Sequence, residues 1–411
     1  MTVRVNKQPF NIREKLSELE RPIGVKGSEL MKSETVQEAR DLVSAGRKNL
    51  IINGAMQVWQ RGTSLTGLSN GSNVFLADRW KYSEGGTMSA VVTMSQESDV
   101  PTGQGFGYSL KVSPTTADAA IDANEQQVFV YQIEARDLLQ LGYGTSNAKA
   151  STLSFWVKSS QAGTATIWCL VPSGQSCTLQ YKIHKSGTWQ KIILTVPANT
   201  LGTTPNSNAS GLTLYWNIAA GTNFTGTGGN DGFWGAQTNT GRAIGQTVNY
   251  LKTTSDYFQI TGIQLEVGKN ATEFEHRSYG EELLLCQRYF YKLGGEVSSP
   301  YSNGLVLPLH QSSNGYYFVS GMFPVEMRTS PTISKNFGTS DYTTSTPSSG
   351  NQWNLRDWYV TNRSLGTADF APERYGRMWT FKLGTVSGGT TASVLYIGTN
   401  SNAHFQFNAE L

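Results

Sequence analysis

Short apolar runs in which large and polar side chains alternate constrain the fold of this chain more than any other feature. Four of them read "TLSFWVKSS", "TATIWCLV", "QKIILTVP" and "LTLYWNIAAG", and a fifth, "YFQITGIQLEVG", follows at residues 257–268. Turn residues separate the runs, and 43 glycines supply many turns. This pattern predicts an all-β fold in which two sheets pack face to face as a sandwich.

The segment "RSYGEELLLCQRYFYKL" at residues 277–293 interrupts the β pattern. Its part "EELLLCQRYFYK" predicts one short helix with apolar side chains around most of its circumference. Such a helix must be buried on nearly all sides, either between two domains or between neighbouring copies of the chain. Both arrangements remain open from the residues alone. If copies of the chain bury it, the interface consists of Leu283, Leu284, Leu285, Tyr289, Phe290 and Tyr291.

Charge and pattern divide the chain into four segments. Residues 1–48 contain 10 Lys/Arg and 7 Asp/Glu. They predict two short amphipathic helices, one beginning after Asn11 and one over 29–45, which need partners to bury their apolar stripes. The other segments are a β domain over 49–275, a helical junction over 276–293 and a second β domain over 294–411. Within the first β domain we expect a helical turn in 130–142 and a long surface loop over 221–247.

Composition argues against several classes of protein. A net charge of +3 on 411 residues gives no reason to expect binding to nucleic acid. No run approaches the roughly 18 apolar residues of a membrane span, and the N-terminus has no signal-peptide core, so we expect no membrane insertion and synthesis in a cytoplasm. Three cysteines are an odd number, which favours free, buried thiols.

Signals for catalysis, metals and cofactors are weak. The four histidines are scattered without metal-ligand spacing, so no metal and no cofactor are predicted. Glu281 and Glu282 are adjacent and fit favourable charge in the first turn of the helix. Carboxylates of a glycosidase could still come from distant strands, but no pair is evident. We therefore expect no catalytic residues and no enzymatic activity.

Two segments combine aromatic and polar residues as a sugar site would, because sugar rings have apolar faces and polar edges. They are "GGNDGFWGAQ" and "GNQWNLRDWYV". The alternative, that their rings pack into subunit interfaces, remains open. Core packing is the prediction for the mid-strand residues Trp156, Trp168, Trp189 and Trp216. The predicted ligand-binding residues are Asn230, Asp231, Phe233, Trp234, Trp353, Arg356, Asp357, Trp358 and Tyr359.

Four stretches resemble a known family. "NLIINGAMQVWQRGTS…LADRW", which predicts two strands joined by a turn at Asn53-Gly54, resembles the opening of jelly-roll modules in bacteriophage tail-fibre and virion structural proteins. "ITGIQLEVGKNATEFEHRSYGEELLLCQRYFYKL" resembles their closing strand and the segment after it. "FPVEMRTSPTI" and the terminal "NAEL" are similar to motifs of the domain that follows.

The resemblance implies a carbohydrate-binding-module-like jelly-roll β-sandwich in a homotrimeric tail fibre, assembled in the host cytoplasm as part of the virion. In such a fibre, residues 1–48 would attach to other phage tail or virion proteins. The C-terminal domain, residues 294–411, would be the tip that binds a host surface glycan during adsorption. Two other functions remain open: a head or tail decoration protein without a receptor role, and a capsule-degrading tailspike enzyme.

Overall fold

The computed structural model describes all of the predicted first β domain and parts of the second. The described residues are 48–294, 306–311, 316–335, 353–356, 362–363, 372–375, 378–385, 394–397 and 404–411. Side chains are described at 48–294, 320–332, 334 and 404–411. The two helices predicted within residues 1–47 lie outside the described residues.

Two antiparallel sheets form a jelly-roll sandwich from residue 64 to residue 267, so the predicted all-β sandwich class is confirmed. The six-stranded sheet has the order β1-β4-β5-β13-β7-β10, and the seven-stranded sheet has the order β12-β9-β8-β11-β6-β3-β2. The strands are β1 (Ser64–Leu68), β2 (Asn73–Phe75), β3 (Trp80–Gly85), β4 (Val91–Glu97), β5 (Ser109–Thr116), β6 (Gln126–Glu134), β7 (Ser151–Ser159), β8 (Gly163–Leu170), β9 (Gln175–Ile183), β10 (Gln190–Val196), β11 (Ser210–Ala220), β12 (Gly235–Ala236) and β13 (Phe258–Val267).

Alternate side chains of both sheets fill the core between them. Phe155 of β7 meets Trp216 of β11 edge to face, with ring centroids 5.9 Å apart. Trp80 stacks on Phe129 at 5.0 Å. Because side chains alternate along a strand, the neighbours of these core residues lie on the outer faces of the sandwich. Trp156, next to Phe155, is one of them.

The segment 49–59 contains no strand, unlike the prediction for "NLIINGAMQVWQRG". It runs as buried turns whose backbone is bonded by the side chain of Asn53, a residue with a positive φ of 57°. The Asn53 amide donates to the carbonyls of Val58 and Asp78 at 2.9 and 3.0 Å, and its oxygen accepts from the N–H of Gln57 at 2.8 Å. These bonds replace the strand pairing that the apolar pattern suggests.

Two short helices accompany the first sandwich. A 3-10 helix at Ala135–Leu141 confirms the helical turn expected in 130–142. The helix α1 spans Tyr279–Gln287, and the Ser278 hydroxyl caps it by accepting from the N–H of Glu281 at 3.3 Å.

The predicted helix through Lys292 is too long, because the chain turns after Gln287 and forms a strand from Phe290. Tyr289 and Phe290 are buried within their own chain, at 1 % exposure each. The helix therefore has one buried face and not apolar burial all round. Of the predicted interface residues, Leu284 is the most exposed, at 47 %, whereas Leu283, Leu285 and Tyr291 are partly buried.

The described part of the C-terminal domain contains two more antiparallel sheets. A three-stranded sheet has the order β14-β23-β17, and a seven-stranded sheet has the order β19-β18-β22-β15-β16-β21-β20. The strands are β14 (Phe290–Gly294), β15 (Val306–Gln311), β16 (Tyr316–Met322), β17 (Thr332–Lys335), β18 (Trp353–Arg356), β19 (Asn362–Arg363), β20 (Pro372–Tyr375), β21 (Met378–Thr385), β22 (Val394–Ile397) and β23 (His404–Asn408).

The end of the chain packs back onto the first sandwich through four residues that we call the clasp: Arg61, Arg79, Arg328 and Glu410. The buried Glu410 carboxylate pairs with Arg79 and, at 3.1 Å, with Arg61. Arg328 donates to the carbonyls of residues 409 and 410 at 2.7 and 2.9 Å. Each of these residues lies within or beside a stretch that carries the family resemblance, so those stretches join the two domains.

Candidate functional site

A pocket opens on the outer face of the six-stranded sheet, with a cavity volume of about 100 Å³. We call it the aromatic pocket. Its lining combines aromatic rings with charged and polar groups from five separate parts of the chain, which is the usual composition of small-molecule sites. The lining residues are Gln104, Ser154, Trp156, Lys191, Gly262, Glu273, Phe274 and His276.

Strand alternation places the floor of the pocket. Ser154 and Trp156 lie on the side of β7 opposite to the core residue Phe155. On the neighbouring edge strand β10, Lys191 is the direct register partner of Trp156. The indole ring is partly exposed, and Lys191 is exposed beside it. The floor is therefore an accessible aromatic face with an ammonium group at its edge.

A bulge at Gly262 gives the floor its shape. The register of β13 against β7 shifts between Thr261 and Gln264, and Gly262 has a φ of +64°. A Cβ at this position would lie 2.5 Å from Cζ of Phe106 and 3.0 Å from Cδ1 of Trp156. Only glycine lets both rings approach the strand so closely.

The opposite wall is an aromatic cluster of Phe106, Phe274 and His276. Their ring centroids are 4.9–5.3 Å apart. The wall segment after β13 is fixed by hydrogen bonds to the sheet. Gln264 accepts from the N–H of Glu275 at 2.9 Å, and Lys48 donates to the Thr272 hydroxyl at 2.7 Å. These bonds hold the wall in place before any ligand binds.

Stacking against a sugar is the chemistry that this geometry supports best. Trp156 and Phe274 present partly exposed ring faces, and Gln104, Glu273 and His276 are exposed at the rim. Ring faces contact the apolar side of a pyranose, whereas amide, carboxylate and imidazole groups bond its hydroxyls. Because a cavity of about 150 Å³ holds benzene, this smaller one takes part of a single ring.

The outer face next to the pocket carries a second indole. Trp189, just before β10, donates from Nε1 to Asp99 at 3.0 Å, and Lys158 of β7 pairs with the same carboxylate at 2.5 Å. Burial acts to raise the pKa of Asp99, but the hydrogen bonds from Lys158 and Trp189 outweigh it and lower the pKa. The anionic Asp99 thus fixes Trp189 on the same face as Trp156, which extends the aromatic surface beyond the pocket.

The predicted cluster in the loop over 221–247 divides into structural and exposed residues. Trp234 is 7 % exposed, donates to the carbonyl of Pro197 at 2.7 Å and joins the core. The Asn230 amide donates to the carbonyls of Ser176 and Ala236. Trp234 therefore belongs to the core of the loop and is not the exposed ring that was predicted. Asn230 holds the loop together but is partly exposed, and its predicted contact with a ligand stays a prediction.

The other two predicted residues of this loop are accessible. Phe233 is 55 % exposed, and the exposed Asp231 carboxylate accepts from Gln180 at 2.7 Å. They do not form a pocket with the aromatic pocket residues, because they sit beside β9 of the opposite sheet. Phe233 and Asp231 therefore form a separate candidate surface.

The second predicted cluster falls mostly outside the described part of the chain. Trp353 and Arg356 begin and end β18, where the backbone pairs with β22 and β19. Asp357, Trp358 and Tyr359 lie outside the described residues. The prediction that this cluster binds a ligand stays a prediction.

Two tryptophans of the outer face were assigned to the core from the sequence, and this assignment is wrong for them. Trp216 is in the core, but Trp156 and Trp189 are partly exposed on the outer face. In "TLSFWVKSS" the signal was present, because Trp156 shares its side of the strand with Ser154 and Lys158. A polar set of neighbours at i ± 2 marks an outward-facing ring.

Several solved structures are similar to part of this chain. The bacteriophage CBA120 tailspike protein 4 enzymatically active domain is 16 % identical over 53 % of this chain and 21 % of its own length, with a TM-score of 0.28. A CBM4 structure is 12 % identical over 52 % of this chain and 97 % of its own, with a TM-score of 0.27. TmCBM61 in complex with β-1,4-galactotriose is 10 % identical over 54 % and 99 %, with a TM-score of 0.26.

This chain thus spans about a fifth of the length of that tailspike domain. TM-scores of 0.26–0.28 are too low for these similarities to indicate what the chain binds. No family model matches the sequence, and no curated protein matches it. Among the described residues, no helix is long and apolar enough to cross a membrane.

Proposed function

We propose that this protein is a bacteriophage tail fibre component that attaches the virion to a host surface glycan through the aromatic pocket. The observation that carries the proposal is the pocket itself, in which Trp156 and Phe274 form accessible ring faces beside exposed polar groups. The resemblance of the joining stretches to phage fibre modules supports the assignment to a virion. Residues 1–48 are the proposed attachment to other virion proteins.

Binding without cleavage is favoured by the charges of the pocket. Glycoside hydrolysis generally needs two carboxyl groups, roughly 5–9.5 Å apart, on either side of the scissile bond. The lining residues of the aromatic pocket include one carboxylate, Glu273, which is exposed at the rim. We therefore propose a binding module and not a tailspike hydrolase.

Calorimetric titration with β-linked gluco-, galacto- and xylo-oligosaccharides tests the pocket. Trp156→Ala should weaken binding at least tenfold, because removing a stacking ring from a site of this kind costs about 1.4 kcal/mol or more. Phe233→Ala removes a more exposed ring, 55 % accessible, from the loop beside the opposite sheet and should leave the affinity unchanged. Unchanged affinity in Trp156→Ala would overturn the pocket, and loss in Phe233→Ala would place the site on the loop.

The position on the particle needs a separate experiment. Gold-labelled antibodies against the chain should mark tail tips in electron micrographs of the intact virion. Labels on the head or along the tail tube would favour the decoration protein. Deleting residues 1–48 should give a folded β protein that no longer joins virions, and incorporation of that variant would contradict the attachment role.

A homotrimer completes the proposal. The exposed apolar side chains of α1 are Tyr279 at 59 % and Leu284 at 47 %, and three copies packed about an axis could bury them. Light scattering on the purified protein should give three times the chain mass of 44.9 kDa. Leu284→Glu places a charge in the proposed interface and should lower the measured mass. A monodisperse wild-type monomer at micromolar concentration would contradict the trimer.

A further inference from the structure

A second cluster of aromatic and charged side chains lies on the outer face of the seven-stranded sheet. Trp168 of β8 and Tyr215 of β11 are cross-strand partners with ring centroids 4.8 Å apart. The guanidinium of Arg242, from the long loop, lies 4.9 Å from the centroid of Trp168 and 5.4 Å from that of Phe224. We call these four residues the Arg242 cluster.

The guanidinium is held by a chain of buried amides. Arg242 donates to the Gln126 side-chain oxygen at 3.3 Å, and Gln126 in turn donates to the Asn217 side-chain oxygen at 2.7 Å. The Asn217 amide donates to the Thr166 hydroxyl and to the carbonyl of Arg242, each at 3.0 Å. Gln126, Asn217 and Thr166 are buried. Arg242 is therefore positioned from both its side chain and its backbone.

Among the described residues, no Asp or Glu oxygen forms a salt bridge with Arg242. The carboxylate of Asp231, on the same loop, instead accepts a hydrogen bond from the Gln180 side-chain amide at 2.7 Å. Burial lowers the pKa of Arg242, partly opposed by Tyr215, which fits a guanidinium removed from water without a counterion. Partly buried charges are normally paired, so the missing anion is a feature to explain.

The hydrogen-bonding groups of the cluster show the same imbalance. Nε of Arg242 and Nε1 of Trp168 are buried and have no partner in the described part of the chain, and the Trp168 side chain is 3 % exposed. Both atoms are donors. The cluster thus has a surplus of positive charge and of donors. An anionic oxygen bound at the partly exposed Arg242 side chain would neutralise that charge.

A second cation lies on the same row of the sheet. The register places Tyr215 opposite Val130 and Val130 opposite Lys81, so Trp168, Tyr215, Val130 and Lys81 form one row across four strands. Three strand spacings of roughly 4.8 Å separate the two ends by about 14 Å. Burial lowers the pKa of Lys81, although Glu410 opposes this, and Glu410 is paired with Arg79 and Arg61.

We propose that the Arg242 cluster binds an anionic oxygen group, a carboxylate or a phosphate, on an acidic polysaccharide that runs along this row toward Lys81. The planar guanidinium would receive the anion in bidentate fashion, with Tyr215 beside it as a stacking surface. The oxyanion site stands independently of the aromatic pocket. Its assignment to an acidic polysaccharide rests on the proposed attachment function.

Calorimetry on the full chain with three probes tests the proposal: an oligogalacturonate, a neutral galacto-oligosaccharide of the same length, and inorganic phosphate. We expect the oligogalacturonate to bind most tightly, with an affinity that falls as salt is raised. Arg242→Gln should weaken it at least tenfold. The matched control Lys182→Gln, an exposed lysine on β9 of the same sheet, should change it less than twofold.

Other results would overturn either the oxyanion site or its assignment to an acidic polysaccharide. Equal binding of the neutral oligosaccharide and oligogalacturonate by the Trp156→Ala variant, in which the aromatic pocket is disabled, would overturn the site. Full binding of oligogalacturonate by Arg242→Gln would overturn it as well. Phosphate binding as tight as that of oligogalacturonate would keep the oxyanion site and overturn the sugar assignment. Trp156→Ala should leave oligogalacturonate binding at the Arg242 cluster intact, so failure of the pocket and failure of this site are distinguishable. If Arg242→Gln does not fold, Arg242→Lys keeps the charge and should weaken binding through loss of the bidentate fork.

Discussion

The clasp should couple the stability of the first sandwich to a residue at the very end of the chain. Glu410 has a side-chain exposure of 3 %, and its carboxylate pairs with Arg79, at 1 %, and Arg61, at 11 %. The two guanidiniums also lie over aromatic rings, 3.4 Å from the centroid of Tyr289 and 3.6 Å from that of Phe290. Removing the carboxylate leaves the Arg79 guanidinium without its carboxylate partner in a nearly dry site, whereas Arg61 keeps its contact with Asp78 at 3.0 Å.

Glu410→Gln preserves the shape of the side chain and removes only its charge. Breaking a buried ion pair by removing one partner costs about 3–5 kcal/mol, a large share of the roughly 5–15 kcal/mol that stabilises a typical domain. Urea denaturation followed by tryptophan fluorescence should show a loss of about 3 kcal/mol or more. The control Glu281→Gln, at an exposed position in α1, should change stability by less than about 0.5 kcal/mol. A loss below about 0.5 kcal/mol in Glu410→Gln itself would refute the reasoning.

Three further predictions follow from buried groups. Gly262→Ala should abolish sugar binding in calorimetry, because its Cβ would lie 2.5 Å from the Phe106 ring in a left-handed backbone conformation; retained affinity would show that the floor adjusts. Burial raises the pKa of Asp78 to about 7 from its ordinary 3.8, against the opposing effect of Arg61. The folded chain then holds a proton that the unfolded chain releases, so this contribution to stability is complete below pH 3.8 and is lost as the pH rises through about 7. Denaturation of Asp78→Asn at several pH values should show no such loss of unfolding free energy as the pH rises. An unchanged pH dependence in this variant would mean that other groups cause it. The three free cysteines are buried, so a thiol reagent should label none in the native protein and all three in denaturant; rapid native labelling would contradict the packing.

Strand alternation was sufficient to predict the sandwich, because its period of two survives even where turns are irregular. It failed for the helix boundary. Apolar side chains lie on both sides of the turn after Gln287, with Leu285 and Cys286 before it and residues 289–291 after it. A helix end followed by a buried strand therefore has the same composition as a longer helix. The strand that pairs with β14, β23, comes more than 100 residues later, and no local sequence pattern predicts this pairing.

The pocket was not predicted from the sequence. The polar neighbours of Trp156 mark an outward ring, which the prediction of core packing missed, and the second wall depends on Phe274 and His276, which lie in a segment without strand or helix. They line the pocket together with Trp156, and only the tertiary fold brings these residues together. Trp234 shows the opposite error, because a polar, glycine-rich surrounding suggested exposure while Pro197 supplied a buried hydrogen-bond partner.

A crystal structure of the chain soaked with the tightest-binding neutral oligosaccharide tests the central proposal most directly. The proposal predicts one sugar ring stacked on Trp156 between Lys191 and the aromatic wall of Phe274 and His276, with its hydroxyls bonded to Gln104 or Glu273. An empty pocket, with the sugar bound instead beside Phe233 or along residues 353–359, would contradict it.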